Sequence, residues 1–345
     1  MPIYLFATIV SFIFNLSLII PFINFLYKLK FQRRNQQTKD AFNKPTPIFD
    51  KYNQRKAGIP IGGGILIVLN SILLFSFFIF LFVLFNRSIN TSYPSIITEV
   101  KIILFAFVGY ALLGVYDDLN KIFFWKQKSF LGIRLRHKLL VEIILAVIVS
   151  WWLYSELKID IINIPFIGLI KSPFLYIPFA TFVIVAFANA VNVTDGLDGL
   201  AGGVMMIALA GFWAIARSFL DVPTSIFIAV WLGGLLAFLY FNIFQARIML
   251  GDTGSLSFGA AYAVIGLILG KSFALPIIGG VFVIEILSSL IQLLSKKYRG
   301  KKAFSVAPFH LWLQYKGWEE PKIVMRLWLI SIIFTIFGLM LAFMK

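Results

Sequence analysis

Three acidic groups carry most of the chemical potential of this chain, and each is set in apolar surroundings. The stretch 189–203 reads Asn-Ala-Val-Asn-Val-Thr-Asp-Gly-Leu-Asp-Gly-Leu-Ala-Gly-Gly, placing Asp195 and Asp198 beside Asn189, Asn192 and four glycines, with no Lys or Arg among them. Apolar runs at 174–188 and 204–216 flank it, so the acids belong at or near a membrane edge, where a costly ionisable group marks function by default. Three residues apart, the two carboxylates share a face if the segment is helical. The glycines would then open a first turn to an anion.

Asp117 and Asp118 form the second group, at the end of an apolar run. Adjacent carboxylates repel and call for a shared cation or proton, and acids at a helix C-terminus oppose its dipole. A solvated helix end is the bland alternative. The third group is Asp252, in Gly251-Asp-Thr-Gly-Ser255 just before another helix, whose first turn Ser255 is placed to cap. Magnesium is commonly held by one or two carboxylates, with water and phosphate oxygens completing its shell, a setting that this loop suits.

Bases and amides accompany the acids. Lys56 heads a segment ending in Gly62-Gly63-Gly64, whose backbone amides could meet an anion or could equally serve close helix packing. His137 reads as a surface residue. His310 lies beside a basic cluster, where imidazole could meet a phosphate. Glu285 and Gln292, seven residues apart, share a helix face, and an interior hydrogen bond explains them as well as a substrate contact does.

The elements that must position these groups are membrane helices. Of 345 residues, 60% are hydrophobic, 17% aromatic and only 13% charged, too apolar for a soluble globular protein. Runs long enough to cross a bilayer, about 17–25 residues, lie near 3–27, 61–85, 100–116, 138–154, 173–190, 202–217, 224–244, 256–270, 273–294 and 323–343. The expectation is an all-α polytopic membrane protein of about ten transmembrane helices in one integral domain over 1–345. The pair around Gly270 can also be read as one broken unit, and Gly279-Gly280 should bend the later run. The stretch 159–170, interrupted by Pro165 and Gly168, suggests a small external β-hairpin. The first run lacks a basic leader and a cleavage site, so it reads as a span. Zero Cys excludes disulfides, thiol nucleophiles and Cys-based zinc sites.

The net charge of +16 is a topology signal. Odd-numbered connections, span edges included, carry 24 of the 31 Lys and Arg, which by the positive-inside rule makes them cytoplasmic and puts both termini outside. No nucleic acid is expected as a partner. The lipid bilayer and an anionic substrate are. All five acids, Lys56 and His310 fall on the same face. Acids for a metal, bases for a diphosphate and a membrane floor for a lipid describe phosphoryl transfer to a lipid acceptor.

Asp117-Asp118, 189–203, Asn242 with 251–254, and 307–328 resemble the signature blocks of the polyprenyl-phosphate N-acetylhexosamine-1-phosphate transferases. The last block contains Ala-Pro-Phe-His310, Lys-Gly-Trp-Glu-Glu-Pro-Lys322 and Met-Arg-Leu-Trp328. It is most similar to the phospho-N-acetylmuramoyl-pentapeptide transferase branch. The resemblance implies transfer of a phospho-sugar from a UDP-sugar donor to undecaprenyl phosphate with magnesium and release of UMP, in a bacterial inner membrane, by a homodimer. By position, Asp252 would bind the metal, and Asp117 would orient or deprotonate the lipid phosphate with Asp118 beside it. Lys56, Asn192, Asp195 and Asp198 would line the nucleotide site, Asn242 and Gln292 would support the diphosphate region, and His310 would contact substrate. The chain departs from the pattern at Leu311 and Trp312 in the histidine run, at Gln245 for a proline, at Met249 for the aromatic on uracil, and at Ile61 for a threonine. Two alternatives stand beside this reading. One is an N-acetylglucosamine-1-phosphate transferase acting on the same lipid. The other is a cation-coupled transporter, which would place acids near the midplane of several spans.

Overall fold

Long apolar runs without interior charge become helices because a spanning segment must satisfy its own backbone hydrogen bonds. The computed structural model describes residues 2–32, 45–123, 135–164 and 168–344. In chain order its helices are α1 (Pro2–Lys28), α2 (Pro47–Asn53), α3 (Gly63–Leu84), α4 (Ile96–Phe123) and α5 (Leu135–Ser155). After a hairpin of β1 (Ile161–Ile164) and β2 (Gly168–Lys171) come α6 (Pro173–Thr194), α7 (Leu200–Ser218), α8 (Val222–Asn242), α9 (Gly251–Ile268), α10 (Ala274–Ile278), α11 (Gly280–Arg299), α12 (Phe309–Tyr315) and α13 (Glu320–Phe343). The protein is an all-α polytopic membrane protein. The hairpin is antiparallel, with Ile161 opposite Lys171 and Ile164 opposite Gly168. Its turn, with Pro165, lies outside the described residues, as do many bases of the first and third connections.

Among the described residues, eight helices are long and apolar enough to cross a membrane: α1, α3, α4, α5, α6, α7, α8 and α13. The other two expected spans correspond to α9 and to α10 with α11. The break at Gly279 separates α10 from α11, so 273–294 is a bent unit, as its glycines suggest, and it is separate from α9. Helix α9 is set apart by its position, since all eighteen of its residues are buried. It is the central post of the bundle, packed by α3, α4 and α6.

Small residues make that position attainable. A Cβ on Gly114 of α4 would come 2.4 Å from the Asp252 carbonyl oxygen, and one on Gly64 of α3 would come 2.2 Å from the Gly254 nitrogen. Both helices therefore touch the first turn of α9 backbone to backbone, the close approach that small residues permit in membranes. Aromatic rings lock the same helices further along. Phe107 of α4 stacks on Phe258 of α9 with centroids 6.0 Å apart and meets Phe227 of α8 edge-on at 5.2 Å.

Candidate active site

Helix ends bring the acidic groups together. Asp117 and Asp118 lie near the C-terminus of α4, Asp195 follows the last residue of α6, and Asp252 is the second residue of α9. A cleft of about 110 Å³ opens between Asp118, Asp195 and Asp252, lined also by Phe49, Lys56, Asn192 and Met249 with their neighbours. Asn192 reaches across it, donating to the Ser255 hydroxyl at 2.8 Å.

The expected helical pairing of Asp195 and Asp198 does not occur. Helix α6 stops at Thr194 and α7 begins at Leu200, leaving 195–199 as a turn that ends on Gly199 at φ +78°. A residue with a Cβ is disfavoured at such an angle, so the glycine explains why the chain turns rather than continues. Ser255 likewise is no cap: α9 already starts at Gly251. Its orphan amides are satisfied from another helix. Asp118 Oδ1 accepts the Asp252 amide at 3.0 Å, while Asp118 Oδ2 accepts the Thr253 amide at 3.0 Å and the Thr253 hydroxyl at 2.8 Å. A carboxylate at a helix N-terminus is favoured by both hydrogen bonding and the dipole. The amides of Gly62, Gly63 and Gly64 are also committed, donating to the Met249 and Leu250 carbonyls. The triple glycine serves packing.

Two lysines complete the centre. Lys121 Nζ lies 2.6 Å from Asp252 Oδ2 and 3.1 Å from Asp117 Oδ2, and Lys138 Nζ lies 2.9 Å from each. In the sequence these bases count only toward topology. The available signal is that Lys121 stands four residues beyond Asp117 and so faces it on one helix. No comparable spacing marks Lys138. Asp117 Oδ1 remains buried with no hydrogen-bond partner among the described residues.

Lys56 is also held. Its Nζ donates to the Gly196 carbonyl at 2.6 Å and forms ion pairs with Glu320 Oε1 at 3.0 Å and Asp198 Oδ1 at 3.3 Å. Glu320 Oε1 also accepts the Asp198 amide at 2.7 Å, and Asp198 Oδ2 accepts the Ala246 amide at 3.1 Å. Glu320, unmarked in the sequence reading beyond its block, thus braces the 195–199 turn together with Asp198. Asp195 keeps one edge toward the cleft. Burial pushes its carboxyl up to about 7, with Asp252 and Asp118 adding to the effect against the opposing Lys56 ammonium.

The remaining candidates stand behind the cleft. Asn242 accepts the Gly199 amide at 3.1 Å and donates to the Ile248 carbonyl at 2.8 Å, pinning the 243–250 loop to the turn. Gln292 grips its own neighbourhood, accepting the Ala303 and Phe304 amides and donating to the Phe304 carbonyl. His310 is 2% exposed. Its Nδ1 meets Glu285 Oε2 at 2.9 Å, and its Nε2 points at Gly196, where a Cβ would come within 2.3 Å. The imidazole lies under the cleft floor. Glu285 and Gln292 are accounted for by interior hydrogen bonds. His137 is exposed.

Residues 100–270 match the family model described as glycosyl transferase family 4. Relatives are similar over nearly their whole length. The phospho-N-acetylmuramoyl-pentapeptide-transferase of Caldanaerobacter subterraneus subsp. tengcongensis is 36% identical over 329 residues, 95% of each chain. That of Halalkalibacterium halodurans is 36% identical over 338 residues, 98% of this chain and 97% of its own. That of Clostridium perfringens is 35% identical over 329 residues, 95% of each chain.

Proposed function

The chain belongs to the phospho-N-acetylmuramoyl-pentapeptide-transferase family, and on that footing we propose that it transfers phospho-N-acetylmuramoyl-pentapeptide from its UDP-linked donor to undecaprenyl phosphate, releasing UMP. The observation that carries the reading is the meeting of Asp117 and Asp252, from distant parts of the chain, across Lys121 and Lys138 beside one cleft. The positive-inside bias supports a site on the cytoplasmic face of a bacterial inner membrane, with both termini outside, on a single integral domain.

Magnesium fits the donor set. Among the described residues no three His, Asp or Glu side chains converge as a closed protein cage. Asp252 and Asp117 Oδ1, which accepts no N–H or O–H among the described residues, supply the one or two carboxylate oxygens that suit a cation completing its shell with phosphate and water. Asp252 would hold the ion, with Asp117 beside it. When bound, magnesium would neutralise charge developing on the diphosphate.

The protein's own groups supply positioning. An oxygen of the acceptor phosphate attacks the sugar-linked phosphorus; a new P–O bond forms as the anhydride P–O bond to UMP breaks, its electron pair leaves on the UMP phosphate oxygen, and the lipid product carries the new diphosphate. Asp117 orients the acceptor phosphate and takes its proton where one is present. Lys121 and Lys138 face the negative charge that spreads over the transferred group, the kind of electrostatic aid on which phosphoryl transfer depends. Asp195 and Asn192 line the donor side, while Asp118, Asp198, Asn242, Gln292 and His310 hold the loops in register.

Purified protein in liposomes with undecaprenyl phosphate and either UDP-N-acetylmuramoyl-pentapeptide or UDP-N-acetylglucosamine tests this reading. UMP release and labelled lipid are expected with the first donor alone, and Asp252→Asn should reduce the rate by at least about 100-fold. Product from the glucosamine donor alone would overturn the donor assignment. Full activity in Asp252→Asn would overturn the metal assignment.

A further inference from the structure

Resting on the magnesium reading above, we propose that Lys121 and Lys138 are internal counter-ions that keep Asp117 and Asp252 closed to a divalent cation until the donor diphosphate draws the ammoniums away. Cation and diphosphate would then bind cooperatively.

Three observations carry this. Both ammoniums converge on a single oxygen, Asp252 Oδ2, at 2.6 and 2.9 Å, and both also reach Asp117 Oδ2. Two positive charges therefore occupy the space between the carboxylates that a cation would use, and a third cation there meets repulsion from both. The two carboxyl groups also lie within hydrogen-bond reach of one another, and the acids are nonetheless incompletely served, because no N–H or O–H among the described residues donates to the buried Asp117 Oδ1. A polar oxygen left so is costly and unusual unless another ligand uses it. Finally, the lysines have somewhere to go. Lys121 keeps 12% of its side chain exposed near the end of α4, on a long flexible stem, and Asp252 itself lines the cleft where phosphates would arrive. Each ammonium that turns to a phosphate oxygen frees a carboxylate oxygen for the cation. By linkage, whatever the diphosphate adds to cation affinity the cation adds to diphosphate affinity. A static ion pair that only stabilises the fold predicts no such coupling.

The test uses the full-length protein in detergent at pH 7.5, with Mn2+ as the metal and UDP as the diphosphate. Free Mn2+ is read by electron paramagnetic resonance and corrected for binding to UDP alone. UDP should tighten wild-type Mn2+ binding by on the order of tenfold, within the ordinary range of coupling between sites. Lys121→Gln and Lys138→Gln should each tighten nucleotide-free binding by a similar factor and shrink the UDP effect. Asp252→Asn should remove the tight site. If the Asp252-dependent site persists but neither lysine variant binds Mn2+ more tightly than wild type, the counter-ion role is overturned while the metal reading stands. Binding that is indifferent to Asp252, or absent throughout, overturns both. Lys121→Gln alters the more open of the two lysines, so it decides the matter if thermal unfolding shows that Lys138→Gln does not fold.

Discussion

Asp118 caps the helix that presents Asp252. Three hydrogen bonds from the first turn of α9 end on its two oxygens at 2.8 to 3.0 Å, so the acid adjacent to Asp117 in sequence does a different task from it. Asp118→Ala would leave buried amides unpaired and should lower stability by about 1–3 kcal/mol. Asp118→Asn, which keeps an acceptor but loses the charge, should cost less. Thermal unfolding in detergent gives the ranking. Equal stability of wild type and Asp118→Ala would refute the capping role.

Gly114 fixes how near α4 comes to the same turn. Alanine there places a methyl 2.4 Å from the Asp252 carbonyl oxygen, an overlap relieved only by moving backbone. Overpacking of this kind costs about 1–3 kcal/mol. Because it shifts Asp252 relative to Asp117, the rate should fall by roughly 100-fold, the penalty of a misplaced reacting group. Liposome kinetics on folded Gly114→Ala should show the loss mainly in kcat. Unchanged kcat would mean that α9 tolerates the shift.

Much of this was legible in the sequence because the membrane reduces the problem to apolar length and charge bias. Asp117, Asp195 and Asp252 could be placed on one face by counting connections, and the chain does bring them together. What could not be read was which acids also serve as braces. Asp118 and Asp198 look like their neighbours in composition, but their partners, Thr253 and Ala246, lie far away in the chain. Lys138 was hidden for a related reason, since a base at a span edge is explained by topology alone. The helical pairing of Asp195 with Asp198 failed at Gly199, where a left-handed residue ended a pattern that spacing continued. His310 is marked in the sequence by the basic cluster beside it, where it is expected to meet a phosphate, but its burial on Glu285 under Gly196 depends on how 300–310 folds against α11.

The raised carboxyl of Asp195 makes a pH prediction with a definite sign. Its value is about 7 in the folded protein against 3.8 for the free group, burial being the main cause, so the native state holds this proton more tightly than the unfolded chain does. The contribution to stability is complete below the lower value and is lost as pH rises through about 7. Ligand-free protein should therefore melt at progressively lower temperature from pH 5 to pH 8. Asp195→Asn, permanently neutral, should flatten that slope. Parallel slopes for the two proteins would remove Asp195 as the cause.

Glu285 and His310 offer the sharpest separation of support from chemistry. Glu285 is fully buried and accepts both the His310 amide, at 3.1 Å, and its Nδ1–H, at 2.9 Å, which leaves Nε2 directed at Gly196 beside the cleft. With Nδ1 thus engaged, the ring cannot rotate without breaking a buried bond. Glu285→Gln keeps an acceptor for the two N–H groups, so it should fold and retain KM for the donor while kcat falls by about tenfold, because the ring then supports the Gly196 turn at the cleft less firmly. Glu285→Leu supplies no acceptor and should lose about 1–3 kcal/mol, the cost of leaving buried donors unsatisfied. Steady-state kinetics and unfolding on both variants settle the assignment. A leucine variant as stable and active as wild type would show that the histidine needs no such anchor.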